Sequence, residues 1–298
     1  MNQVLELLVS GLSLGCVYAL IAMGFVIVFK ATNVVNFAHA SVVMLGAYLV
    51  ARWHDDLGFW GSVLAAAVAC AVVAALIDVL LVRPLRRRRG GADTLAILTI
   101  GVNIVLATEL TRRVGTDILP TGAPWGSKTV TFLGLTIPQT RIASAVVALL
   151  LMAVFFAAFK YSDWGVAMRS TAADPETAAL MGIRLSRVAM GAWAVSGFLA
   201  AIAGVFFTSF PASGVSTTTY LLALTAIPAA VLGGLDSVGG AVVGGLVIGV
   251  AITFTAGYQD ELSFLGRGLS EVIPYVVLLA VLVWRPSGLF GTPEISRV

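Results

Sequence analysis

The stretch KYSDWGVAMRSTAADPETAALMGIRLSRV, residues 160–188, decides how the rest of the chain is arranged. It is a long polar interval in a chain that is otherwise mostly hydrophobic, and it carries the four basic residues Lys160, Arg169, Arg184 and Arg187. Basic residues collect in the cytoplasmic loops of membrane proteins. The sequence therefore predicts a cytoplasmic loop here, with membrane-spanning helices on both sides of it.

A short helix with defined ends is predicted inside this loop. Asp174 is suited to the N-cap, Pro175 to the first helical position and Glu176 to the positive end of the helix dipole. Gly182 is suited to the C-terminal stop, which leaves residues 175–181 between the two signals. A helix of that length is unstable alone in water, so we expect another surface to hold it.

Two kinds of surface could hold this helix. Its small apolar surface consists of Ala178, Ala179, Leu180 and Met181. In the first interpretation, the loop is ordered because it packs against its own chain. In the second interpretation, the helix is a docking element for a separate cytoplasmic motor. The local sequence leaves both interpretations open.

The composition defines the broad class of the protein. Hydrophobic residues make up 59% of the 298 residues and charged residues only 11%, with a mean hydropathy of +1.00, whereas about a quarter of the residues in a soluble domain are charged. The predicted fold class is an all-α polytopic membrane protein with a single transmembrane domain over residues 1–298. The net charge of +3 comes mainly from loop arginines that set orientation, so no nucleic-acid partner is predicted.

Nine hydrophobic stretches are separated by polar intervals. They cover residues 4–29, 42–50, 59–82, 94–110, 142–159, 188–207, 220–232, 239–256 and 273–284. About 20 apolar residues are needed to cross a bilayer as a helix, and the first fifty residues could hold a broken or re-entrant helix. The sequence therefore predicts about eight or nine transmembrane helices. Residues 112–139 are predicted to form an external loop with room for a short hairpin.

The basic residues predict the orientation of these helices. When the arginine run at 86–89 is placed inside, twelve of the 18 Lys and Arg residues lie on the cytoplasmic side. This asymmetry agrees with the excess of positive charge in cytoplasmic loops. The arrangement places the C-terminus in the cytoplasm and the N-terminus outside.

The first interruption of the hydrophobic pattern is a candidate part of a transport pathway. Residues 31–41 place Asn33, Asn36, His39 and Ser41 where bilayer depth favours apolar side chains. Non-helical backbone at that depth is tolerated only where it is buried in protein or lines a wet cavity. These polar residues therefore either border a translocation path or form a hydrogen-bonded turn at the membrane edge, and both alternatives stay open.

The second interruption, VLGGLDSVGGAVVGG at residues 231–245, is rich in glycine. Gly240 with Gly244, and Gly245 with Gly249, have the small-xxx-small spacing that lets membrane helices approach closely. Close helix packing is therefore the role predicted for these glycines.

No arrangement typical of an enzyme is present in the sequence. The two histidines, His39 and His54, and the distant cysteines Cys16 and Cys70 do not form a metal-binding set. Residues 122–129 resemble a phosphate-binding loop but have the wrong spacing and no preceding strand. We therefore predict neither catalytic residues nor a bound cofactor or metal. A transporter that uses ATP would need an ATPase from another chain.

Five motifs in order along the chain carry a family resemblance. They are GLSLGCVYALIAMGFVIVFKATNVVNFAHASVVMLGAYL (11–49), RPLR (83–86), LTIG (98–101), GVAMRSTAADPETAALMGI (165–183) and AAVLGGLDSVGGAVVGGLVIG (229–249). With these motifs the chain resembles LivH-type branched-chain amino-acid permeases of ABC importers over nearly its whole length. Family members commonly have Gly after NFAH, whereas Ala40 and Ser41 follow here.

The resemblance implies the fold of an ABC importer permease, in a bacterial inner membrane. In that family the short helix of the cytoplasmic loop is the coupling helix, which sits in a groove of the ATP-binding subunit. The resemblance therefore implies a coupling loop at 160–188 in which ATPase coupling falls to Asp174, Pro175, Glu176, Ala178, Ala179, Leu180 and Gly182. The implied partners are a homologous second permease chain, two ATP-binding cassette ATPases and an extracytoplasmic solute-binding protein.

The predicted function is the membrane subunit of an ATP-driven importer for branched-chain or other hydrophobic amino acids. Relatives of this permease carry urea, short amides or aromatic acids, so the substrate stays open at this stage. A self-sufficient channel or ion-coupled carrier would need an ion-binding group at mid-membrane. The carboxylates Asp78, Glu109 and Glu271 each have a basic residue close in sequence, which favours local ion pairs instead.

Overall fold

The computed structural model describes residues 2–88, 90–125, 128–132, 135–209, 214–262, 266 and 268–292. In this part of the chain the α-helices are α1 (Asn2–Thr32), α2 (His39–Ile77), α3 (Arg83–Arg87), α4 (Ala92–Val114), α5 (Gln139–Tyr161), α6 (Asp163–Ala173), α7 (Pro175–Leu180), α8 (Leu185–Ser209), α9 (Thr219–Leu224), α10 (Ile227–Gly233), α11 (Val238–Gly257) and α12 (Leu269–Trp284). A π-helix over Asp78–Val82 joins α2 to α3. Strands β1 (Thr129–Phe132) and β2 (Leu135–Pro138) form an antiparallel hairpin within the predicted external loop.

The long apolar helices confirm the prediction of an all-α polytopic membrane protein. Over the described residues, six segments are long and apolar enough to cross a membrane: Gln3–Thr32, His39–Arg87, Ala92–Val114, Gln139–Tyr161, Leu185–Ser209 and Val238–Gly257. Two shorter apolar segments, Thr219–Gly233 and Leu269–Trp284, lie where two further spans are predicted. The number of apolar segments, six long and two short among the described residues, agrees roughly with the predicted eight or nine spans.

The segment His39–Arg87 is 49 residues long and is interrupted once. Gly58 has φ 67° and ψ 167°, which is not a helical conformation. Glycine adopts positive φ at little cost because it has no Cβ. The interruption separates the hydrophobic stretches 42–50 and 59–82, which the sequence assigns to different spans.

The chain packs as two compact units. The first unit contains residues 1–26, 123–148 and 225–298, and the second unit contains residues 27–122 and 149–224. Helices α1 and α5 each contribute residues to both units. The assignment of residues 1–298 to a single domain stays a prediction.

Glycines set the packing of α1 against α11 in the first unit. A Cβ built on Gly11 would lie 2.8 Å from the Cα of Val250. Gly15, one helical turn further along α1, lies against Gly249. A Cβ on Gly249 would collide with the backbone of Gly15, and a Cβ on Gly245 would collide with that of Ala19. The two helices are therefore in backbone contact, which confirms the packing role predicted for Gly245 and Gly249.

The second interruption folds as the end of α10, a turn and the start of α11. Gly234 has φ 104° and ends α10 by donating from its N–H to the carbonyl oxygen of Ala230 (3.1 Å). Ser237 caps α11, because its Oγ accepts a 3.0 Å hydrogen bond from the N–H of Gly240. A Cβ on Gly240 would collide with Gly233 of α10. The role of Gly240 in close packing is therefore confirmed as well.

Residues 285–292 return from α12 to this same turn. Phe290 N donates to the carbonyl oxygen of Gly233 (3.1 Å), and Thr292 N donates to Asp236 Oδ2 (2.9 Å). The last carbonyls of a helix have no partner within the helix. This segment therefore supplies donors that complete the C-terminal end of α10.

Helices α2 and α8 form the main contact of the second unit. A Cβ on Gly197 would lie 2.7 Å from the Cβ of Ala74, and a Cβ on Gly46 would lie 2.7 Å from the Cβ of Ala201. Trp193 of α8 is fully buried beside this contact, in an apolar cluster with residues of α2 and α4. Small residues at the crossing points allow these long helices to lie close together.

Candidate functional site

The loop 160–188 is ordered by contacts with its own chain. It folds as α6 and α7, and Ser162 caps α6 by accepting a 3.1 Å hydrogen bond from the N–H of Gly165. Met168 of α6 is fully buried. Trp164 packs so closely on α8 that a Cβ on Gly191 would lie 2.5 Å from its Nε1. The first interpretation of the loop, in which it packs against its own chain, therefore holds for α6.

The predicted N-terminal signals of the short helix are all in place at α7. Asp174 Oδ1 accepts hydrogen bonds from the N–H groups of Glu176 (3.0 Å) and Thr177 (3.1 Å), and Pro175 occupies the first helical position. The Thr177 hydroxyl donates to the other carboxylate oxygen. These hydrogen bonds, the one from the Thr177 side chain above all, hold the pKa of Asp174 below its usual value. The cap is therefore ionised, and a strong acceptor, at neutral pH.

The C-terminal end of α7 is a Schellman motif. Gly182 has φ 86°, its N–H donates to the carbonyl oxygen of Ala179 (3.0 Å), and the N–H of Ile183 donates to that of Ala178 (3.0 Å). This pair of hydrogen bonds requires a left-handed residue, a position that glycine fills without strain. The helix ends at Leu180, one residue earlier than the predicted range of 175–181.

The exposed apolar surface of α7 is smaller than predicted. Leu180 is 88% exposed and Met181 79% exposed, and Ala179 is exposed as well, but Ala178 is only 4% exposed. Residues two positions apart on a helix point in nearly opposite directions, so Ala178 faces its own chain when Leu180 faces outward. The apolar surface of α7 that is exposed therefore consists of Ala179, Leu180 and Met181, without Ala178.

Three of the four polar residues in the first interruption make hydrogen bonds within the described chain. Asn33 is exposed and ends α1 with φ 53°, and its N–H donates to the carbonyl oxygen of Phe29 (2.7 Å). His39 Nδ1 lies 3.0 Å from Ser196 Oγ, and both side chains are buried. Ser41 Oγ donates to a backbone carbonyl of the preceding turn (2.8 Å). These contacts fix the backbone where α1 ends and α2 begins.

Asn36 differs from these three residues. Its side chain is 2% exposed, and its Oδ1 has no hydrogen-bond partner in the described chain. Buried polar atoms almost always have a partner. Phe37, the residue after Asn36, is hydrogen-bonded to α4, because its N–H donates to Thr99 Oγ1 (3.2 Å). Asn36 therefore has a buried acceptor without a partner among the described residues.

A second buried amide, which is not among the predicted site residues, lies on α4. Asn103 lies one helical turn beyond Thr99, and its Oδ1 likewise has no partner among the described residues. The available signal was two polar residues four positions apart in an otherwise apolar span, a spacing that places both on one helix face.

The carboxylates near the membrane spans pair as predicted where the structure describes both partners. Arg83 Nη2 lies 3.3 Å from Asp78 Oδ2, and Glu109 accepts from Arg112 (2.9 Å) and Arg113 (2.6 Å). Arg267, the basic residue closest in sequence to Glu271, lies outside the described residues. Within the described ranges, no group of three or more His, Cys, Asp or Glu side chains is placed to hold a metal ion.

These apolar helices and the capped helix in the polar loop define a multi-pass membrane protein. Residues 7–282 match the family described as "Branched-chain amino acid transport system / permease component". The chain therefore belongs to this family of ABC transporter permeases, which are transport components of the inner membrane.

Individual relatives match the chain over nearly its full length. The high-affinity branched-chain amino acid transport system permease protein BraD of Pseudomonas aeruginosa is 31% identical, over 99% of this chain and 98% of its own length. The permease protein LivH of the corresponding Escherichia coli system is 29% identical, over 99% and 97%. A probable LivH of Methanocaldococcus jannaschii is 28% identical, over 91% and 88%.

Proposed function

We propose that this chain is the membrane subunit of an ATP-driven importer for branched-chain or other hydrophobic amino acids. The observation that carries the proposal is the family match over residues 7–282, together with relatives whose names specify branched-chain amino acid transport. ATP is hydrolysed by two ATP-binding cassette subunits, since this chain supplies a path and not a catalytic site. A second permease chain and an extracytoplasmic solute-binding protein complete the importer.

The coupling loop lies on the cytoplasmic side in this proposal, as do the C-terminus and the arginine run at 86–89, and the N-terminus lies outside. Helix α7 enters a groove of the ATPase through Ala179, Leu180 and Met181. Capping at Asp174 and Gly182 keeps this short helix formed before the ATPase binds. A pre-formed helix loses less conformational entropy on docking than an unfolded segment would.

Contacts within the second unit connect α7 to the long apolar helices α8 and α2, so a movement of α7 can be transmitted to them. Helix α7 contacts α6 and α8, and α6 is fixed to α8 through Trp164 and Gly191. Helix α8 packs along α2 through glycines and alanines. When the ATPases close on ATP, their push on α7 therefore shifts α8 against α2. Alternating movements of this kind open the path first to one side of the membrane and then to the other.

Uptake measurements test the proposed function. In cells that lack their own branched-chain uptake, co-expression of the four kinds of subunit should give uptake of radiolabelled leucine. The same cells with an ATPase subunit that cannot hydrolyse ATP provide the control, and they should take up none. Uptake of urea in place of leucine would contradict the assigned substrate class. Leucine uptake driven by an ion gradient without the ATPases would contradict the importer class.

Asn36 is our candidate for a residue that borders the path. Its buried, unpartnered Oδ1 can accept a hydrogen bond from the substrate's ammonium group. One hydrogen bond is worth about 1 kcal/mol net, so Asn36→Leu should lower the leucine uptake rate several-fold. Asn33→Gly is the control, because Asn33 is exposed and glycine adopts its positive φ without strain, so uptake should change little. Equal uptake by both variants would leave Asn36 with a structural role only.

A further inference from the structure

A basic cavity lies where the segment His39–Arg87 ends, beside the start of α8. Its volume is about 230 Å³. It is lined by Asp78, Arg83, Arg86, Arg87, Leu185, Ser186 and Ala189. All seven residues belong to the second unit. The cavity is therefore formed within one compact unit of the chain, between the π-helix turn and the start of α8.

Positive charge exceeds negative charge in this cavity. Three guanidinium groups stay protonated at any physiological pH, and they face a single carboxylate. Arg83 Nη2 already has two partners. It lies 3.3 Å from Asp78 Oδ2 and donates to the carbonyl oxygen of Ser186 (2.9 Å). Asp78 Oδ2 is therefore paired with Arg83, and the single carboxylate can offset only one of the three positive charges in the lining.

Several donors in the cavity have no acceptor. Nε and Nη2 of Arg86 and Nε of Arg83 are buried, and none of these atoms has a hydrogen-bond partner in the described chain. Buried charged donors are costly to leave unsatisfied. The cavity also borders Leu185 and Ser186, the first residues of the 25-residue helix α8, whose N–H groups have no intrahelical acceptor. The three unsatisfied arginine donors are suited to an anion, and they outnumber the one unpartnered acceptor in the lining, Asp78 Oδ1.

We propose that this cavity binds the phosphate group of an anionic ligand. A guanidinium presents two parallel N–H donors that match two phosphate oxygens, and Arg86 offers Nε and Nη2 for this purpose. Two sources can supply such a group at the end of a membrane span: the head group of an anionic phospholipid, or free phosphate. Basic pockets between membrane helices are known to take anionic lipid head groups.

Native mass spectrometry of the detergent-purified permease tests the lipid source. The probes are phosphatidylglycerol and, as a zwitterionic control, phosphatidylcholine. The wild type should retain phosphatidylglycerol in preference to phosphatidylcholine. In Arg86→Gln this affinity should fall about tenfold, which is the loss expected for one charge-assisted hydrogen bond. Arg88→Gln removes the same charge from an exposed residue outside the cavity lining and should bind like the wild type.

Thermal melting of the purified permease tests whether free phosphate is the ligand. If inorganic phosphate is the ligand, it should raise the Tm of the wild type and of Arg88→Gln above the value in chloride of equal ionic strength. Arg86→Gln should show no such rise. Arg86→Lys, which keeps the charge but loses the paired donors, replaces Arg86→Gln in both arms if that variant does not fold. Equal behaviour of the wild type, the Arg86 variant and Arg88→Gln in both arms would overturn the proposal.

Discussion

Gly249→Leu should prevent the chain from forming a stable, monodisperse protein. A Cβ at this position would collide with the backbone of Gly15 in α1, and neither backbone can move without separating α1 from α11. Overpacking a well-packed core typically costs about 1–3 kcal/mol, and here the obstacle is backbone, which cannot rotate away. We expect a large loss of folded protein, measured by size-exclusion chromatography in detergent and by the Tm of any material recovered.

Gly239→Leu is the matched control for this change. Gly239 lies in the same helix, but a Cβ there would meet nothing within 4 Å. The control variant should therefore elute and melt like the wild type. A Gly249→Leu protein with the yield and Tm of the wild type would show that α1 and α11 are not held in backbone contact.

Leu180→Glu should abolish binding of the ATPase without unfolding the permease. The side chain is 88% exposed, so the change removes no packing within the chain. In the proposed groove it would bury a carboxylate without a partner, which is costly. We expect the ATPase to be lost from the purified complex and leucine uptake to be abolished. The measurements are copurification with a tagged permease and uptake in the reconstituted system.

Leu180→Met serves as the control, because it keeps an apolar side chain of similar volume and should keep both ATPase binding and uptake. If Leu180→Glu also keeps both, α7 is not the coupling element. Ala178→Trp would be a poor substitute for this experiment. Ala178 is buried in its own chain, so the larger side chain would disturb α7 whether or not an ATPase binds there.

The ends of α7 could be predicted because the signals are local. Asp174 and Gly182 act on N–H and C=O groups within five residues of them, so their residue types alone indicate a start and a stop. The burial of Ala178 depends instead on where α6 and α8 lie. The residue types alone do not give that information, and the predicted surface was too large for this reason.

The sequence indicates which residues of one helix form a contact surface more readily than it indicates which distant helix packs against that surface. The small-xxx-small pair Gly245 and Gly249 indicated a close helix contact, but not that the opposite face is Gly11 and Gly15 of α1. The arginine cavity was missed for a related reason. Arg86 was interpreted only as a charge that sets orientation, whereas its unsatisfied donors become apparent only when α8 is placed beside it.

The return of residues 285–292 to the α10–α11 turn has a consequence for how the protein is made. Thr292 follows its partner Asp236 by 56 positions, and proteins are synthesised from the N-terminus. When the turn leaves the ribosome, the donors that complete α10 therefore do not yet exist. Helices α11 and α12 must be synthesised and brought into place before the carbonyl oxygen of Gly233 can accept its bond from Phe290. The hydrogen bonds of the α10–α11 turn are thus among the last to form in this unit during biosynthesis.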